Sequence, residues 1–121
     1  MGEMAARKPA SAPPYTPVTS SGVSLGVLEV DSLKWRAVEW RFHAPLRLTR
    51  TREYGHIVFE NADLTLYAYG TSEKAARRAL ARDFSALWHI IAEADDSELE
   101  TMACGLKKRL REFVSEVRRK A

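Results

Sequence analysis

The chain has 121 residues, one domain's worth, and its 16 acidic residues nearly offset 19 basic ones to leave a net charge of +3. Hydrophobic residues at 45% and charged residues at 29% are the balance of a globular chain, and the mild positive excess permits nucleic-acid binding without demanding it. The single Cys104 excludes an internal disulfide and a cysteine-built zinc site, and no apolar run reaches the ~18–20 residues that spanning a bilayer takes, so a cytoplasmic protein with no membrane contact is expected.

Residues 1–22 hold four of the five prolines (Pro9, Pro13, Pro14, Pro17) among Ala, Ser and Thr. Such a stretch cannot bury enough apolar area to offset the entropy of ordering it, so a disordered arm is expected there. Arg7 and Lys8 are followed by prolines rather than an apolar signal core, and Ala6 stands where a myristoylation signal needs Ser or Thr. A single domain is expected over residues 23–121, with about a hundred residues for one modest core.

Alternation begins at Val23, Leu25 and Val27, then changes phase at Leu28 and Val30, and Asp31-Ser32 reads as a turn. Next, Leu33, Trp35 and Ala37 share one phase, and Val38, Trp40, Phe42 and Ala44 the other. A change of face within one strand is what a β-bulge produces. Pro45 is expected to interrupt the ladder, because it has no N–H to donate. Arg47, Arg50 and Arg52 then crowd one loop. Two short runs, residues 54–60 and 64–69, flank Asn61-Ala62-Asp63 as a hairpin. Ile57, Phe59, Leu64, Leu66 and Ala68 form its apolar face, while His56, Val58 and Glu60 point the other way with Thr65, Tyr67 and Tyr69.

The apolar face needs a cover. Thr71 or Ser72 can cap a helix with Glu73 in its first turn, and Ala76, Leu80, Phe84, Leu87 and Ile91 recur at helical steps until Asp95-Asp96. Ser97 and Glu100 have capping-box spacing, and Leu99, Met102, Ala103, Leu106, Leu110, Phe113, Val114 and Val117 predict a second helix running to the basic C-terminus. The expected fold class is α+β: an antiparallel sheet of four to five strands packed on one face by two C-terminal helices.

No constellation for catalysis is present. His43, His56 and His89 lack metal-ligand spacing, Cys104 lacks an identifiable base, and no glycine-rich phosphate loop exists. Asp83, Glu93, Asp95, Asp96 and Glu98 are explained by arginines one turn away. No enzyme activity, catalytic residue, metal or cofactor is expected. Binding is the better expectation. Tyr67, Tyr69 and His56 on the open sheet face, with Arg47, Arg50 and Arg52, suit a protein partner, since tyrosine and arginine are enriched at interfaces. Lys74, Arg78 and Arg82 on one helix, and Lys107, Lys108 and Arg111 on the next, suit nucleic acid, with the tyrosines as stacking platforms. Self-association through the second helix, giving a homodimer, is a third expectation.

Residues 57–64 (Ile-Val-Phe-Glu-Asn-Ala-Asp-Leu) and 69–75 (Tyr-Gly-Thr-Ser-Glu-Lys-Ala) resemble the core of the HicB antitoxin family. That family shows a strand ending near Pro-Asp-Leu, a short strand, and Gly-x-Thr-x-Glu-Glu-Ala opening a helix. Asp63, Leu64, Gly70, Glu73 and Ala75 match in type, Ala62 replaces the proline, and the Gly-to-Ala spacing is one residue tighter. The resemblance covers residues 54–91. It implies a β-β-β-α sheet that occludes a small RNase toxin, often beside a separate DNA-binding element, of which no helix-turn-helix or ribbon-helix-helix pattern is visible here.

Overall fold

A computed structural model describes residues 22–120. The proline-rich arm expected over residues 1–22 lies outside the described residues except for Gly22. The chain forms β1 (Val23–Trp35), β2 (Val38–Glu53), β3 (His56–Asn61), β4 (Leu66–Gly70), α1 (Glu73–Leu87), a π-turn over Trp88–Ala92, a 3-10 turn over Asp96–Glu98, α2 (Thr101–Phe113) and β5 (Val114–Arg119). The five strands make one antiparallel sheet in the order β1-β2-β3-β4, with β5 also on β2. The fold is α+β, with both helices on one face of the sheet.

The sheet is organised by β2, whose 16 residues serve two neighbours on the edge opposite β1. Its second half pairs with β3 from Thr49↔Glu60 to Glu53↔His56, and its first half pairs with β5 from Val38↔Arg119 to Phe42↔Val114. Between the halves sits Pro45. The strand does run through it, contrary to expectation, because residues 42–45 stand opposite Asp31 alone and leave the β1 ladder there. A proline costs no ladder bond where the ladder is already open.

Two hairpin turns replace features expected elsewhere. Asp31-Ser32 is no turn; β1 continues to Trp35, and the change of phase is a two-residue loop, Arg36-Ala37, with Trp35 opposite Val38. A two-residue loop puts residues i and i+3 on the same face, which in sequence looks like a bulge. At the far end of β2, Tyr54 (φ 50°) and Gly55 (φ 79°) form a loop with both residues left-handed, the geometry whose twist suits a tight hairpin. Arg47, Arg50 and Arg52 therefore lie on β2 itself, not on a loop. The third hairpin turns over residues 62–65: the Asn61 Oδ1 accepts from the Leu64 N–H at 2.9 Å and the Asn61 amide donates to the Arg47 carbonyl at 2.8 Å.

On the helix side, Trp40, Leu46, Leu48, Phe59, Leu66, Ala68, Ala76, Leu80 and Phe84 form the core. Trp40 and Phe42 each meet Phe84 edge-on with ring centroids 5.5 Å apart, and Phe113 closes on Phe42 at 5.0 Å. Ser72 is the cap of α1, its hydroxyl accepting from the Ala75 N–H at 3.1 Å. Ala76, Leu80 and Phe84 are buried as their spacing predicts, whereas Leu87 and Ile91 are only half-buried and Trp88 and Ala92 take the core positions of the π-turn.

The second helix differs most from expectation. It is preceded by Glu100 without a side-chain cap, so the Ser97–Glu100 capping box does not form. It also ends at Phe113, and Val114 and Val117 belong to β5. The three-residue step between these valines is a strand with a bulge: Val114 pairs with Phe42 and Glu116 with Arg41, leaving Ser115 as the extra residue, its hydroxyl donating to the Arg41 carbonyl at 3.2 Å. Beyond β5, the Lys120 N–H donates to the Ala37 carbonyl at 2.8 Å.

Candidate functional site

Antiparallel partners share a face, so the register builds the open side of the sheet row by row. Thr51, Val58 and Tyr69 form one row, Thr49, Glu60 and Tyr67 the next, and Glu53 with His56 the last. The sequence places His56, Tyr67 and Tyr69 together, and the structure agrees: His56 meets Tyr69 edge-on at 5.6 Å and Tyr69 meets Tyr67 at 6.2 Å. Both tyrosines are exposed, Tyr67 at 41% and Tyr69 at 57%. The His56 Nδ1 lies 3.1 Å from the Tyr54 carbonyl, which fixes its ring at the end of the cluster.

The centre of this face is not open, however. Thr51, Val58 and Glu60 are buried, Glu60 at 8% exposure. Among the described residues, Glu60 Oε2 has no hydrogen-bond partner. A buried carboxylate oxygen without a donor is costly, and sequence alternation gave no sign of it, because a glutamate facing away from the helices reads as solvated. The carboxylates act on the phenol beside them: burial first, then the charges of Glu53 and Glu60 and the neighbouring Tyr69, hold the Tyr67 pKa above its ordinary value. At neutral pH Tyr67 is thus a protonated hydroxyl among acids.

The three arginines do not join one patch. Arg47 pairs with Glu29 at 3.4 Å on the open face. Arg50 points to the helix side, donating to Glu73 at 2.7 Å and to the Leu25 carbonyl at 3.1 Å, so it fastens β1 to the start of α1. Arg52 lines the same end, in a cleft with Arg50, Thr71 and Glu73.

The basic helix faces are largely committed to internal contacts. Arg78 lies over the Trp35 ring at 5.1 Å and Arg82 meets Asp83 at 3.3 Å. Lys107 donates to the Ala94 carbonyl at 2.6 Å and to Asp96 at 2.8 Å, and Arg111 donates to the Ala92 carbonyl while covering Trp88. Lys74 and Lys108 are exposed. The acidic residues singled out in sequence serve the same fastening. Glu93 accepts from His89 at 2.6 Å and from Arg119 at 2.8 Å, and these keep its carboxyl below the usual range, the His89 hydrogen bond first and its burial opposing.

Cys104 is half-buried at the start of α2, its sulfur 3.8 Å from the carbonyls of Asp96 and Leu99. No helix among the described residues is long and apolar enough to cross a membrane. Two features escaped the sequence reading. One is a shallow apolar cleft of about 390 Å³ beside β4, where Tyr67 is joined by Leu87, Ile90 and Ile91, with Ile90 67% exposed. The other is a basic cleft around Trp35, described below. Compared with protein-family models, curated proteins and solved structures, the chain matches none.

Proposed function

We propose that the protein is a non-enzymatic interaction protein of HicB-like type, which binds a small basic protein through the open face of its sheet. The observation that carries the reading is the buried Glu60 carboxylate, one oxygen of which has no donor among the described residues, in one cross-strand row with exposed Tyr67 and beside the row of exposed Tyr69. Once the side chains over Glu60 move aside, an arginine or lysine of a partner would give that oxygen its missing donor, and charge-assisted bonds of this kind are the strong ones. The tyrosines supply rigid amphipathic anchors around it, and the apolar cleft with Leu87 and Ile90 extends the contact from Tyr67. A small basic toxin is the partner class that the HicB resemblance implies.

Nucleic acid is less well served. A phosphate backbone over Tyr67 and Tyr69 would meet Glu53 and Glu60, whereas single-strand platforms set aromatics in a positive groove. Three of the helical cations that would supply such a groove, Arg82, Lys107 and Arg111, are already tied into ion pairs and hydrogen bonds of the protein's own.

The test is affinity capture from the native cell, comparing the wild type with the doubly substituted Tyr67→Ala/Tyr69→Ala protein. A small basic protein recovered by the wild type and lost by the variant is the expected result. Equal recovery by both proteins, or material that disappears on nuclease treatment, would count against the reading.

A further inference from the structure

A second surface lies on the other side of the molecule, where β1 passes alongside α1. A cleft of about 630 Å³ opens there. Its strand side is made of Val30 and the four consecutive residues 32–35 of β1, continued by Arg36 of the hairpin loop. A strand shows alternate residues on its faces and successive residues only along an edge, so the cleft is bounded by the backbone edge of β1. Among the described residues no strand pairs with that edge. The register with β2 slips between Ser24 and Val27 and again between Val30 and Ser32, and is regular from Ser32↔Arg41 to Trp35↔Val38. The stretch facing the cleft is therefore regular strand whose outer edge no described strand occupies.

Charge selects what can fill it. Lys34, Arg36, Arg77 and Arg78 line the cleft together with Trp35, and no acidic residue does. Arg36 and Arg78 both lie over the Trp35 ring, at 5.6 and 5.1 Å. Two copies of this edge brought together would oppose like charges, which is how natural edges resist self-pairing. A phosphodiester backbone would satisfy the cations but has no N–H groups to match the carbonyls of an open ladder. An extended acidic peptide meets both demands, adding main-chain hydrogen bonds to the edge and carboxylates to the rim. We infer that residues 32–35 of β1, with Arg36 of the loop that follows and Arg77 and Arg78 of α1, accept an extended acidic peptide as a sixth strand. The site is separate from the tyrosine face, and either can fail without the other.

The probe is a fluorescein-labelled acetyl-(Glu-Val)₃-amide followed by anisotropy. Its controls are the (Lys-Val)₃ analogue, the acidic peptide N-methylated at alternate residues, and labelled oligothymidylate. Saturable binding of the acidic peptide is expected. It should weaken at least tenfold on N-methylation, at least tenfold in the exposed Lys34→Glu/Arg78→Glu variant, and be absent for the lysine peptide. Circular dichroism of that variant confirms that it folds. The proposal is overturned if the acidic peptide does not bind, if the N-methylated peptide binds as well as its parent, or if oligothymidylate binds more tightly. It is also overturned if the free protein sediments as a dimer that Lys34→Glu/Arg78→Glu alters, since the edge then belongs to a second copy.

Discussion

Glu60 is the residue on which stability and function pull apart. Its carboxylate is buried on β3 with one oxygen lacking a donor among the described residues, a state that costs free energy and that an incoming cation would relieve. Glu60→Gln removes the charge and keeps the shape. The variant should be as stable as the wild type or more stable by about 1 kcal/mol in urea unfolding, while its capture of a basic partner is lost. A glutamine that unfolds the protein would mean that Glu60 holds the sheet together rather than waiting for a ligand. None of this is visible in the letters of residues 56–60, where His-Ile-Val-Phe-Glu reads only as alternation. Its significance comes from Thr49 and Tyr67 flanking it in a row set by register.

At the scale of elements, the join between β4 and α1 is the tightest point. A Cβ on Gly70 would stand 2.6 Å from the Ala76 nitrogen and 2.7 Å from the Ala75 carbonyl carbon, both backbone atoms that cannot swing aside. Gly70→Ala should therefore lift the first turn of α1 off the strand and cost about 1–3 kcal/mol, seen as a lower urea midpoint. An unchanged midpoint would show that the turn can move freely.

This join was legible in sequence: Gly70 ends the alternation, Ser72 caps and Glu73 opens the helix, all local chemistry. The β3–β4 apolar face was legible for the same reason, its five apolar residues all being buried. β5 was not. Val114 and Val117 fit a helical step, no glycine or proline stands between Leu106 and Val117 to end the helix, and only the free edge of β2 over residues 38–42 makes a strand preferable. Tertiary pairing, with Ser115 bulged to bring both valines inward, overrode a pattern that was ambiguous on its own. The binding surfaces divide likewise. The tyrosine pair could be read from alternation, while the Trp35 cleft depends on β1 meeting α1 across more than forty residues of chain, counted from Trp35 to Arg78.

For the molecule as a whole, the C-terminal segment is locked to the end of the first helical region by charge. Glu93 accepts from His89 and from Arg119 of β5, and its carboxyl is held below the ordinary glutamate value of about 4.3. A carboxylate with a lowered folded pKa contributes stability above its unfolded value and loses it as pH falls through the folded one. The glutamate is 35% exposed on its side chain, so screening limits the effect to less than about 1 kcal/mol. Urea unfolding should show stability declining as pH drops below the usual glutamate range, and Glu93→Gln should shrink that decline. A Glu93→Gln protein with an unaltered pH profile would remove Glu93 from the account.

The same lock leaves the sheet's far face as the side that holds no helix, and this division of labour is what the functional reading depends on. One side of the sheet is consumed by the core, and the other carries Tyr67, Tyr69 and Glu60, whose Oε2 has no donor among the described residues. Hydrogen–deuterium exchange of the protein with its captured partner, read peptide by peptide, tests that division most directly. Slowed exchange in β3, β4 and the turn around Leu87 and Ile90, with the rest of α1 and α2 unaffected, is the result predicted. Slowed exchange over the helices, with β3 and β4 unchanged, would place the partner on the wrong side of the sheet and contradict the account.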